Sequence, residues 1–147
     1  MRLTRKSDYA LQAVIQLAVG QHASPERTNP VSISNISSAG NIPRDFAAKI
    51  LKKLAYAGIL ESFSGKNGGY RLARPPQDIS FREIIEAVEG PIIINRCLEN
   101  SSDCAQAGFC QMLETWKGTQ AELIKLLHGV KISKFIGSSL ESSKIDY

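Results

Sequence analysis

The stretch ILESFSGKNGGYRLARPP, residues 59–76, restricts the fold of this chain more than any other. Residues 59–63 and 70–73 have the apolar and aromatic content of short strands. The intervening SGKNGG is rich in glycine, which accepts positive φ at little cost, so the run folds back as a tight hairpin. Pro75 and Pro76 end the second strand. Lys66, Arg71 and Arg74 make the hairpin basic.

What precedes the hairpin gives it a meaning. Ser32 stands before Ile33, Ile36 and Ala39, a short helix that Gly40 and Asn41 end. Pro43 opens a second helix, where its fixed φ suits the first turn. Phe46, Ile50, Leu51 and Leu54 form its apolar stripe, with Arg44, Asp45, Lys49, Lys52 and Lys53 away from the centre. Gly58 sits where a helix needs a left-handed residue past its end. Upstream, Leu3, Tyr9, Ala10, Ala13, Val14, Leu17 and Ala18 recur at near-helical intervals. This helix over 3–19 has Thr4 or Ser7 as its cap and Gly20 as its stop, followed by a polar loop over 21–30 that contains His22. Two short helices followed by a basic hairpin outline a winged helix-turn-helix, a DNA-binding unit over residues 1–79. Arg44, Asp45 and Lys49 lie near the start of the second helix, where side chains reach base edges.

Charge agrees with that reading. Residues 1–79 carry 11 Lys and Arg against 5 acids, a net of +6, whereas residues 80–147 carry 7 against 9, a net of −2. The basic front half is the part that would meet a polyanion.

The back half is also helical. Ser80 and Glu83 match a capping box ahead of Ile84, Ile85 and Val88, with Gly90 and Pro91 as the stop. Leu113, Trp116, Gln120, Leu123, Leu127 and Val130 alternate steps of three and four, a seam suited to a partner helix. His128 fits a cation at that helix's end. We expect a capped helix, a cysteine loop and a dimerisation helix over 80–135, then a flexible tail over 136–147. The fold class is mainly α.

All three cysteines lie in RCLENSSDCAQAGFC, residues 96–110, spaced C-x6-C-x5-C. The chain lacks a signal-peptide pattern and a long apolar run, so a cytoplasmic protein with no membrane association is expected. In a reducing compartment clustered thiols hold a metal or sense redox state more often than they form disulfides. A loop of Gly, Ser, Asn and Asp lets Cys97, Cys104 and Cys110 converge on one centre. Thiolates hold iron–sulfur clusters, including clusters with one non-cysteine ligand. Zinc favours closer pairs such as C-x2-C, which are absent, and a direct thiol switch is the third option. No Ser/His/Asp or Cys/His arrangement supports an enzyme, and GKNGG lacks the Walker spacing.

With MRLTRKSDYAL at the start, ILKKLAYAGILES after the second helix, SGKNGGYRLARPP in the hairpin and the three cysteines, the chain resembles the Rrf-type winged-helix transcriptional regulators over roughly residues 1–135. Its nearest likeness is to the NsrR-like members. The resemblance implies a homodimer joined through the long C-terminal helices, and recognition of a double-stranded DNA operator. Arg44, Asp45 and Lys49, on the helix opened by Pro43, would approach bases. Arg2, Lys6, Lys66 and Arg71 would meet phosphates or the minor groove. It also implies an iron–sulfur cluster on Cys97, Cys104 and Cys110, 4Fe–4S ahead of 2Fe–2S. The cluster's state would set the operator affinity of a repressor responding to iron–sulfur status, nitric oxide or oxygen. A cluster-free, thiol-based redox regulator is the alternative.

Two departures stand out. Many relatives carry arginine before the wing's glycine, where this chain has Ser64. IscR-like members place a histidine ligand three residues after the last cysteine, where this chain has Leu113. In some NsrR-like members an aspartate from the partner's first helix completes the site, and Asp8 stands in the matching context, with Glu114 or an exogenous group as alternatives. An acid there also suits the helix dipole without any metal.

Overall fold

The computed structural model describes residues 3–23, 29–100, 104, 106 and 108–139. Arg2, part of the 21–30 loop and most of the C-terminal tail lie outside them. The architecture is mainly helical, with one two-stranded antiparallel sheet.

Helix α1, Arg5–Ala23, buries Ala10, Ala13, Val14, Leu17 and Ala18, small and medium side chains that let other helices approach closely. Thr4 is its cap: the Lys6 N–H donates to Thr4 Oγ1 at 3.2 Å. Ser7, the other capping option, is fully buried and does different work, described below. Gly20 does not end the helix, and His22 belongs to its last turn. A glycine inside a helix costs about 1 kcal/mol relative to alanine, and the packing of Leu17, Ala18 and Val19 outweighs it. Leu3, expected on the apolar stripe, is 42% exposed and precedes the helix.

Helix α2, Ile33–Ala39, is capped by the Ser32 hydroxyl, which accepts from the Asn35 N–H. Asn41 takes a left-handed conformation, φ 49°, in the turn to the next helix. Helix α3, Arg44–Tyr56, follows Pro43 and buries Ala47, Ile50, Leu51 and Leu54. Phe46 is not in that stripe. It is 44% exposed, and Ala47 takes the inward place. The helix ends as the sequence predicts: Gly58 has φ 73°, Gly58 N–H donates to Ala55 O and Ile59 N–H to Leu54 O, each at 3.0 Å. These two bonds satisfy carbonyls that the helix leaves open.

Strands β1, Leu60–Phe63, and β2, Gly69–Leu72, pair with Leu60 opposite Leu72 and Phe63 opposite Gly69. The hairpin is anchored from outside the sequence region that defines it. Val31 and Tyr70 exchange backbone hydrogen bonds of 2.8 and 2.9 Å, which makes Val31 a one-residue third strand. That contact explains Gly69, because a Cβ there would lie 2.1 Å from the Val31 carbonyl oxygen.

Helix α4, Phe81–Glu89, carries the full capping box between Ser80 and Glu83. Helix α5, Arg96–Glu99, is a single turn in the cysteine segment, and α6, Met112–Gly129, is the long helix. After α6 the chain returns to the start of α4: Phe81 N–H donates to Val130 O and Ile132 N–H to Ile79 O, each at 3.0 Å. A 3-10 turn, Ile132–Phe135, and helix α7, Ile136–Ser139, follow. Ile132 is fully buried and Ile136 is 9% exposed, both in the same core as α1, α3 and α4. The chain is therefore ordered into the core past the point where a flexible tail is expected, and the core runs through residue 79 without a break.

Candidate nucleic-acid interface and cysteine segment

The first turn of α3 is a surface. Pro43, Arg44, Asp45 and Lys49 are exposed. Beside them the Phe46 ring meets Tyr9 of α1 edge-on, with centroids 5.9 Å apart. The contact sets α1's first turns, with exposed Lys6 and Asp8, against the start of α3.

On the hairpin, Ser64 and Lys66 are exposed. Arg71 is engaged within the hairpin: its Nε donates to Glu61 Oε2 at 2.8 Å and its guanidinium lies 4.7 Å from the Phe63 ring centre. Arg74 serves the frame. It bonds Glu83 Oε1 at 2.9 Å and the Asp78 carbonyl at 3.2 Å, tying the base of the hairpin to the cap of α4. Burial opposes ionisation of Glu83, but hydrogen bonds from the Ser80 side chain and backbone and the Arg74 guanidinium outweigh it, holding its pKa down from 4.5 to about 2.

The cysteine segment is built differently. Asn95 caps α5, its Oδ1 accepting from the Cys97 N–H at 3.3 Å and from the Cys97 thiol at 2.9 Å. Cys97 and Cys104 both line an open hollow of roughly 790 Å³ with Asn95, Arg96, Glu99 and Asn100. Cys110 stands outside that lining, two residues before α6, where its carbonyl accepts from the Leu113 N–H at 3.3 Å. All three thiols are free. Their chemistry fits an iron–sulfur centre, yet among the described residues no three Cys, His, Asp or Glu side chains are grouped closely enough to hold a metal ion. The donors are present in one segment without being assembled into a ligand set.

Two polar residues, Gln120 and Glu89, have partners that the sequence does not reveal. Gln120, the polar break in the seam of α6, accepts from the Ile94 N–H at 3.1 Å and so faces its own chain. Glu89, the last residue of α4, accepts from Thr4 N at 3.3 Å, from the Thr4 hydroxyl, and from Ser7 Oγ at 2.9 Å. Burial opposes its ionisation, but these hydrogen bonds, with the charge of Lys6, lower its pKa on balance. A signal for Glu89 does exist in the sequence. An acid in the last turn of a helix opposes the dipole, so a partner elsewhere is to be expected.

The family model described as Rrf2, iron-dependent transcriptional regulator, matches residues 3–138. The chain belongs to the Rrf2 family. An Rrf2-like HTH-type transcriptional regulator of Rhodobacter capsulatus is 26% identical, over 97% of this chain and 97% of its own length. The HTH-type transcriptional regulator IscR of Cereibacter sphaeroides is 31% identical, over 95% of this chain and 90% of its own. The solved structure of CymR, the global cysteine regulator of B. subtilis, superposes with a TM-score of 0.71 at 25% identity, covering 94% of this chain and 98% of that one. This Rrf2 chain is thus a winged-helix, DNA-binding transcriptional regulator and not an enzyme. No described helix is long and apolar enough to cross a membrane.

Proposed function

We propose that this Rrf2 protein is a homodimeric repressor whose operator affinity is governed by an iron–sulfur cluster on Cys97, Cys104 and Cys110. The observation that carries this reading is the gathering of all three free thiols in one segment, two of them on a common hollow. Leu113 excludes a histidine ligand three residues after the last cysteine. Asp8 of the partner subunit is the fourth ligand we favour, as in NsrR-like members, with a 4Fe–4S cluster ahead of 2Fe–2S. Asp8 is exposed on α1 and so open to a second chain. What such a cluster supplies is a centre whose state changes with iron supply, oxygen or nitric oxide. On the DNA side, Arg44, Asp45 and Lys49 read bases from the major groove, while Arg2, Lys6, Ser64 and Lys66 lie along the backbone or minor groove. Arg71 joins them once it exchanges Glu61 for phosphate.

Anaerobic purification tests this directly. The protein comes off brown, with iron and sulfide in matching amounts, and Asp8→Ala weakens cluster retention. A colourless, iron-free protein under those conditions overturns the cluster. A second reading, a cluster-free thiol regulator, is favoured by the Cys97 thiol donating to Asn95 and by the absence of an assembled metal group among the described residues. Mild oxidation followed by mass spectrometry separates the two: this reading requires a disulfide or a capped thiol that restores or abolishes operator binding.

A further inference from the structure

The C-terminal end of α4 is bonded to three parts of the molecule at once. Glu89 takes three hydrogen bonds from Thr4 and Ser7, in and just before the first turn of α1. Lys53, in the last turn of α3, donates its ammonium to the Val88 carbonyl at 3.0 Å, satisfying an acceptor that the end of a helix leaves open. Gly90, with φ 91°, then turns the chain directly into the cysteine segment.

That segment is not loosely tethered to the joint. Between Glu89 and Cys97, Ile92 is buried at 4% exposure, Ile94 is pinned by Gln120, and Asn95 holds both the backbone and the thiol of Cys97. A rearrangement around Cys97 therefore pulls on the end of α4 through a short, pinned strap.

The two remaining links converge on α3, the proposed recognition helix. Its last turn is held by α4 directly, through Lys53 and Val88. Its first turn is held by α1, through Phe46 and Tyr9, and α1's first turn is in turn held by α4 through Glu89. Moving the end of α4 therefore acts on α3 at both ends and on the turn that carries Lys6 and Asp8. We propose that residues 88–90 form the joint through which the state of the cysteine segment reaches the DNA-facing helices, with Glu89 and Lys53 as its positioning residues. This rests on the regulatory reading above, whether the signal is a cluster or the thiols themselves.

The test is made on the full-length protein purified anaerobically, before and after iron chelation and, separately, diamide oxidation. The DNA is a site selected from a random pool by the wild-type protein. Wild type changes operator affinity between states by about 5–150-fold, the usual range of coupling between sites. Glu89→Ala brings that ratio close to one while circular dichroism shows a folded protein. Glu89→Gln, which keeps an oxygen acceptor for Thr4 and Ser7, restores it. Lys53→Met lowers the ratio through the recognition-helix branch, leaves Glu89 untouched, and decides the matter if Glu89→Ala fails to fold. Hydrogen exchange at the amides of residues 5–9 differs between states in wild type and not in Glu89→Ala. A full wild-type ratio in both Glu89→Ala and Lys53→Met overturns the joint and leaves the regulator standing. Equal affinity in all states of the wild-type protein overturns both.

Discussion

Helices α3 and α6 place their apolar side chains in opposite ways. The 13 residues of α3 bury Ala47, Ile50, Leu51 and Leu54 within the chain. The 18 residues of α6 bury none, and leave Met112 64%, Leu126 67% and Trp116 36% exposed. Helix α3 is packed within the chain, whereas α6 carries apolar side chains at its surface, where the proposed homodimer would cover them. The winged-helix unit thus rests on the buried core, while α6 is held to the cysteine segment by a polar contact, Gln120 accepting from the Ile94 N–H, and buries no side chain fully.

The largest expected effects probe that contrast. Leu54→Ala removes a fully buried side chain beneath the recognition helix and costs about 2–5 kcal/mol of unfolding free energy. Leu126→Ala on α6 changes chemical denaturation of dilute protein by about 0.5 kcal/mol or less, but weakens self-association in sedimentation equilibrium. If Leu126→Ala destabilises the dilute chain as much as Leu54→Ala does, α6 is part of the subunit core and the contrast fails.

Next in size is the division of labour on the DNA surface. Lys49→Ala is expected to cost about 1–3 kcal/mol at the best site and to relax base preference at one position. Lys66→Ala on the hairpin weakens all sequences alike and reduces the salt slope by about one. Binding isotherms at several salt concentrations on matched and mismatched sites separate the two behaviours.

The features legible in the sequence were those set by local chemistry. The capping box of Ser80 and Glu83, the positive φ of Gly58 and the glycine turn of the hairpin are all short-range, and all are present. What was not legible depends on residues distant in the chain. Gly20 looks like a helix stop until the packing of its neighbours is known. Phe46 looks like core until Ala47 is seen to face inward and Tyr9 to meet the ring. Gly69 looks like turn chemistry, but Val31, 38 positions earlier, is what demands it. At the candidate site the cysteines were found by their spacing, whereas Glu89 and Gln120 required the tertiary partners that explain them.

A smaller effect comes from the cap that joins the hairpin base to α4. Ser80→Ala is expected to cost about 0.5–2 kcal/mol. The same cap gives stability a pH dependence of known sign. Glu83 ionises more readily in the folded chain, at about 2 against an ordinary 4.5, so its contribution is fully present above about pH 4.5 and is lost as pH falls toward 2. Glu89, also lowered, acts in the same sense. Denaturation midpoints measured between pH 2 and 7 should show this slope, and Glu83→Gln should flatten it.

The smallest stability effect belongs to the wing and is the most informative about DNA. Arg71 and Glu61 form a surface pair, their side chains 34% and 46% exposed, and such pairs contribute about 0–1 kcal/mol. Glu61→Gln therefore leaves the melting curve almost unchanged. It removes the carboxylate that neutralises Arg71, so operator affinity at low salt should rise and the slope of log K against log salt should steepen by about 0.9, the increment for one added phosphate contact. An unchanged slope would mean that Arg71 stays over the Phe63 ring as part of the hairpin's frame, leaving Lys66 as the cation the wing offers to the backbone at the turn where relatives carry arginine and this chain has Ser64.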